Sequence, residues 1–147
     1  MKRTTLFALA LLCAPLAACD TEDDNPFGSQ TEALLSCSPI IDYSFGDTVT
    51  GTLTSTDCLL PDDETPVDLY RVTIPEVQSV LITMRSNELD PYLFVLSENG
   101  TLLFVDDDSD SGTRLGARIN VTLPAGTYYV GANTFENQFG SYTLTSE

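Results

Sequence analysis

Asp106, Asp107, Asp108 and Asp110 put four carboxylates into five consecutive positions, and Asp62, Asp63, Glu64 and Asp68 put four into seven. Like charges this close repel, and without a counter-ion some are driven toward the protonated form. A hard divalent cation relieves the repulsion. Calcium takes about six to eight oxygen ligands in flexible geometry and suits acidic loops that leave strands at a sheet end. Asp106-x-Asp108-x-Asp110 has the opening spacing of an EF-hand loop, but Ser111 stands where that loop needs glycine and Ala117 where it needs a bidentate glutamate. The expectation is a calcium site of another kind, drawing on Asp68, Asp90, Asp106, Asp107, Asp108 and Asp110, with Asp90 opening the Pro91-Tyr92 segment. The alternative is an acidic face that is only solvated.

Other chemistries lack their parts. The chain has no histidine, and its only lysine is Lys2, so a serine nucleophile has no usual base. A pair of carboxylates suffices for glycoside hydrolysis, but a small sandwich leaves little room for a substrate cleft, and the sequence does not read as an enzyme. Of the four cysteines, Cys37 and Cys58 lie 21 residues apart and are expected to form one disulfide in an oxidising compartment. A two-thiol metal site is the rival, with no histidine or further free thiol to complete it.

The other two cysteines belong to the N-terminal segment. Lys2 and Arg3 precede a short apolar run, Leu6 to Cys13, too short to cross a bilayer core that needs about 20 apolar residues. Leu16-Ala17-Ala18-Cys19 then matches the bacterial lipobox at all four positions, with the Cys19 thiol as acyl acceptor. Residues 1–18 are therefore expected to be a lipoprotein signal peptide, and Cys19 an anchor to the inner or outer membrane of a bacterial cell envelope. Removing 1–18 leaves four basic against 22 acidic residues, a net charge of −18. Such a surface repels phosphate backbones, so nucleic acid is excluded as a partner.

The acidic segments must be positioned by the rest of the mature chain. Residues 19–36, polar and acidic after the cysteine, read as a flexible tether. From 37 to 147 the chain is a succession of short strands. Polar and apolar residues alternate in 49–53, 70–74, 80–84, 119–123 and 142–144, whereas 92–96 and 102–105 are continuous apolar runs joined by an Asn99-Gly100 turn. Eight to nine strands with regular turn signals predict an antiparallel β-sandwich.

The order of Asp68-Leu69-Tyr70-Arg71-Val72, Asp90-Pro91-Tyr92-Leu93-Phe94-Val95, Asp106-Asp107-Asp108-Ser109, Ala125-Gly126-Thr127-Tyr128-Tyr129-Val130 and Gly140-Ser141-Tyr142-Thr143-Leu144 resembles the bacterial pre-peptidase C-terminal domain, a family related to the collagen-binding domains of collagenases. The resemblance spans roughly residues 46–147. It implies a jelly-roll-like sandwich and a tendency to bind calcium. Members usually follow a catalytic domain; here a tether precedes the module, so assistance to an attached protease does not carry over.

Strand alternation with Leu93 and Val95 facing inward sends Tyr92 and Phe94 outward, and Tyr129 likewise between Tyr128 and Val130. Exposed aromatics on a sheet suit a polysaccharide or protein ligand; the competing explanation is packing beneath a second layer. The function expected is a lipid-anchored envelope binding module, with a structural or assembly role in an envelope complex as the alternative.

Overall fold

The computed structural model describes residues 34–37, 39–61, 63–109 and 116–147. The expected signal segment, Cys19, most of the tether and Asp110 lie outside the described residues.

Among the described residues ten strands form the fold: β1 (Ile41–Asp42), β2 (Thr48–Leu53), β3 (Cys58–Leu59), β4 (Pro66–Ile74), β5 (Gln78–Arg85), β6 (Pro91–Ser97), β7 (Leu102–Asp106), β8 (Gly116–Leu123), β9 (Gly126–Thr134) and β10 (Gly140–Ser146). One sheet runs β1-β4-β9-β6-β7, with β3 also on β4; the other runs β2-β10-β5-β8. All pairs are antiparallel except β1 with β4, which is parallel. The count exceeds the expected eight to nine because β1 and β3 are two-residue pieces, too short to leave an alternation in the sequence.

The main core lies between the sheets. Val72 and Ile74 of β4, Leu93 and Val95 of β6, and Tyr128, Val130 and Ala132 of β9 meet Val80, Ile82, Met84, Ile119, Tyr142 and Leu144 from the other sheet. Strand patterns follow from what each face meets. β10 alternates buried and half-exposed residues, as a strand with one solvated face must. β6 is buried or half-buried throughout because it is central and covered on both sides.

That double cover corrects the expectation of exposed aromatics. The outer face of the β6 and β4 strands carries a second cluster of Leu34, Val67, Leu69, Phe94 and Leu96, with Cys37, Ile40, Cys58, Leu60, Tyr92, Leu102 and Tyr129 packed against it. Tyr92, Phe94 and Tyr129 do leave the main core as alternation requires, but Phe94 is 4% exposed and the two tyrosines are half-buried. Their cover is Leu34, Cys37 and Ile40 together with Cys58 and Leu60 around β3. A Cys37–Cys58 disulfide with Cα atoms 5.9 Å apart joins the two. Leu34 is buried, so the packed unit reaches beyond the boundary expected at Cys37.

The turn after β6 also differs in detail. Ser97 and Thr101 are bonded across a three-residue loop, with Gly100 alone in the left-handed region at φ 82°. Asn99 does not take a positive φ, so the turn is not a two-residue Asn-Gly turn.

Candidate functional site

The starts of β4 and β6 and the ends of β9 and β7 lie at one end of the larger sheet, because these neighbours are antiparallel. Asp63, Asp90, Glu136, Asp107 and Asp108 therefore collect there. Burial raises the Asp90 carboxyl above its ordinary range, and the charges of Asp108, Asp107 and Glu136 raise it further. Burial likewise raises the Tyr92 hydroxyl, with Asp107 and Asp63 adding to it. Asp90 is tied down by its backbone: its N–H donates to Gln138 Oε1 at 2.8 Å and its carbonyl accepts from Phe135 N–H at 2.9 Å. Its Oδ1 is buried and has no hydrogen-bond partner among the described residues; the same holds for Oγ1 of Thr134, the register partner of Pro91. Two orphaned oxygens at an acidic strand end are what a cation or an ordered water would satisfy.

Two expected ligands are committed elsewhere. Asp68 faces the core side of β4 and accepts a 2.6 Å hydrogen bond from Tyr142 Oη, which in turn bonds Tyr70 Oη at 2.6 Å. Asp106 Oδ2 accepts from the backbone N–H groups of Arg118 at 2.7 Å and Ser109 at 3.2 Å, tying the end of β7 to β8. The register places Asp68 beside Ala132, Ala132 beside Leu93 and Leu93 beside Asp106. Three strand spacings of about 4.8 Å separate the two aspartates by roughly 14 Å, so they do not share an ion. The two acidic segments thus start from strands at opposite sides of the larger sheet's centre, Asp68 on β4 and Asp106 on β7. Asp110 lies outside the described residues. Among the described residues no three carboxylates stand close enough together to hold a metal.

Some participants left no readable signal. Glu136 is an isolated acid in sequence; it stands two residues past β9, whose end pairs with the start of β6 beside Asp90. Asn133, 1% exposed, donates to Thr65 Oγ1 and the Pro66 carbonyl and so holds the start of β4 to the end of β9. Thr65 in turn donates to Asp63 Oδ1 at 2.7 Å. The large apolar residues that do reach solvent near this end, Phe135 at 57% and Phe139 at 50%, stand in the β9–β10 connection rather than on the sheet face.

The two packed sheets and their strand order define a β-sandwich. The chain is similar in structure to the pre-peptidase C-terminal domain of a collagenase from Bacillus anthracis, with 14% identity, TM-score 0.57, and 74% of this chain and 95% of that one covered. It is also similar to CorA, a surface-associated copper-binding protein important in copper acquisition in Methylomicrobium album BG8, with 10% identity, TM-score 0.53, and 74% and 98% covered. No protein-family model and no curated protein matches the sequence. At these identities the likeness shows the shared fold.

Proposed function

We propose that this chain is a non-catalytic binding module of the cell envelope, anchored by lipid at Cys19, that holds calcium at the Asp90 end of its larger sheet and recognises a polysaccharide or protein. The observation that carries the calcium reading is Asp90: a buried, unpartnered Oδ1 in a field made by Asp107, Asp108 and Glu136. Calcium would be held by Asp90, Asp107 and Asp108, and its charge would offset the repulsion that these carboxylates and Glu136 exert on one another. Asp68 and Asp106 would serve the fold.

The binding reading is supported by the company the fold keeps, a collagenase-associated domain and a surface-associated copper-binding protein. The lipobox and the −18 net charge after processing support placement outside the cytoplasm, away from nucleic acid. The test is calcium-dependent pull-down from envelope fractions with the wild type and Asp90→Asn. Capture of an envelope polysaccharide or protein that needs both calcium and Asp90 supports the module; capture unaffected by either refutes the calcium half.

A further inference from the structure

On the opposite edge of the larger sheet a groove of about 490 Å³ is lined by Asp42, Ser44, Phe45, Arg71, Thr73 and Gln78, among others. The size is within the range of small-molecule sites, about 300–1,000 Å³. Asp42 and Arg71 are register partners on β1 and β4, and both are exposed. Arg71 Nε and Nη2 donate to the same carboxylate oxygen, Asp42 Oδ1, at 2.8 and 2.6 Å. Asp42 Oδ2 and Arg71 Nη1 thus keep their capacity, one as acceptor and one as donor, among the described residues. Thr73 lies two residues along on the same outer face, and Gln78 adds an amide with both functions. Phe45, half-buried against the main core, gives the groove an apolar wall.

We propose that this groove binds a neutral saccharide unit, a proposal that rests on the binding-module reading of the chain. Sugar hydroxyls donate and accept together, which matches a lining that offers a carboxylate, a guanidinium, hydroxyls and an amide; sugar C–H faces pack on aromatic rings. Charge selects the class. The two charged residues of the lining neutralise one another, and the surrounding protein is strongly acidic, so an anionic sugar is repelled and a neutral one meets polar groups that carry no net charge. A peptide strand is the poorer fit: β1, which borders the groove, is two residues long and cannot template an added strand.

The experiment is calorimetric titration of the full chain in calcium with cellohexaose, mannohexaose and maltohexaose, using hexagalacturonate as the anionic control, on the wild type, Arg71→Ala and Gln78→Ala. Arg71 is exposed and Gln78 half-exposed, so both variants keep the core. At least one neutral oligosaccharide is expected to bind, and each variant to weaken it by about tenfold or more, the loss of one good polar contact. Absence of binding by every neutral probe, binding equal in the wild type and both variants, or preference for hexagalacturonate overturns the proposal. The calcium-induced shift in melting temperature, read on the same samples, separates the two readings. A shift without sugar binding removes the groove ligand and leaves the module; neither shift nor binding removes both.

Discussion

Tyr142 of β10 donates a 2.6 Å hydrogen bond to Asp68 of β4, so a hydroxyl from one sheet holds a carboxylate from the other across the core. Tyr70 completes the chain through Tyr142 Oη, and burial holds the Tyr142 hydroxyl firmly protonated. Gly51 makes room for this: a Cβ there would lie 2.2 Å from Cζ and Oη of Tyr142. Tyr142→Phe should strand both neighbours and cost about 1–3 kcal/mol, measured by urea unfolding. An unchanged midpoint and slope would mean that water replaces the hydroxyl.

Titration gives a second prediction. Burial is the leading cause that raises Asp68, outweighing the Tyr142 hydrogen bond that lowers it, and Asp57 adds to the rise. Asp90 is raised by burial and then by its acidic neighbours. A carboxyl with a raised folded pKa contributes stability that is complete below the unfolded value of about 3.9 and is lost as pH climbs through the folded value. In EDTA, the Asp68 and Asp90 share of stability should therefore fall from about pH 4 upward. Melting curves of the wild type and an Asp68→Asn, Asp90→Asn double variant should diverge across that window, the variant being the flatter. Parallel curves would show that neither carboxyl is perturbed.

Much of this fold is legible in the sequence, for a physical reason. Strands with one solvated face alternate, and 80–84, 119–123 and 142–144 do so because the four-stranded sheet is open to water on its outer side. The run at 92–96 is continuous because β6 is covered twice, but nothing in the run says by what. The cover comes from residues about 35 to 60 positions upstream, so Phe94 reads as an outward ring until Leu34, Ile40 and the Cys37–Cys58 bridge are placed over it. The acidic site is legible in part. Charge density marks Asp107 and Asp108, but density does not distinguish them from Asp106, whose oxygen is taken by backbone N–H groups, or reveal Glu136, brought in by register.

The disulfide should stabilise mainly by constraining the unfolded chain. Closing a loop of this length is worth about 3 kcal/mol, less any native strain. Cys37→Ser with Cys58→Ser should lower stability by roughly that amount and loosen the cover over Phe94, seen as faster proteolysis around residues 34–40. Two free thiols in the native protein by alkylation and mass spectrometry would remove the premise.

Gly131 and Phe94 form a second close fit, on the outer face. A Cβ at Gly131 would lie 2.0 Å from Cζ of Phe94, whose ring tip rests against that glycine. Gly131→Ala should displace the ring and cost about 1–3 kcal/mol, the usual scale of overpacking. Pairing it with Phe94→Leu should recover part of the loss; strict additivity of the two changes would show that the ring does not rest there.

Lipid attachment at Cys19 is open to a direct check. Cys19→Ser should yield unprocessed precursor or protein released from membranes, read by fractionation and intact mass. A variant that fractionates with membranes at the wild-type mass would rule out the anchor.

The calcium site is tested most directly by thermal unfolding of the full chain in EDTA, calcium and magnesium at matched ionic strength, with the wild type and Asp90→Asn. A ligand that binds only the folded state stabilises by RT ln(1 + [L]/Kd), about 2.7 kcal/mol at 100 times Kd, which is several degrees in a domain of this size. The predicted result is a rise of that order in calcium, a smaller one in magnesium, and none in Asp90→Asn, which should melt above the wild type in EDTA because it no longer carries a buried, repelled charge. Equal melting temperatures of the wild type in EDTA and calcium would contradict the site and leave the acidic end as a solvated face.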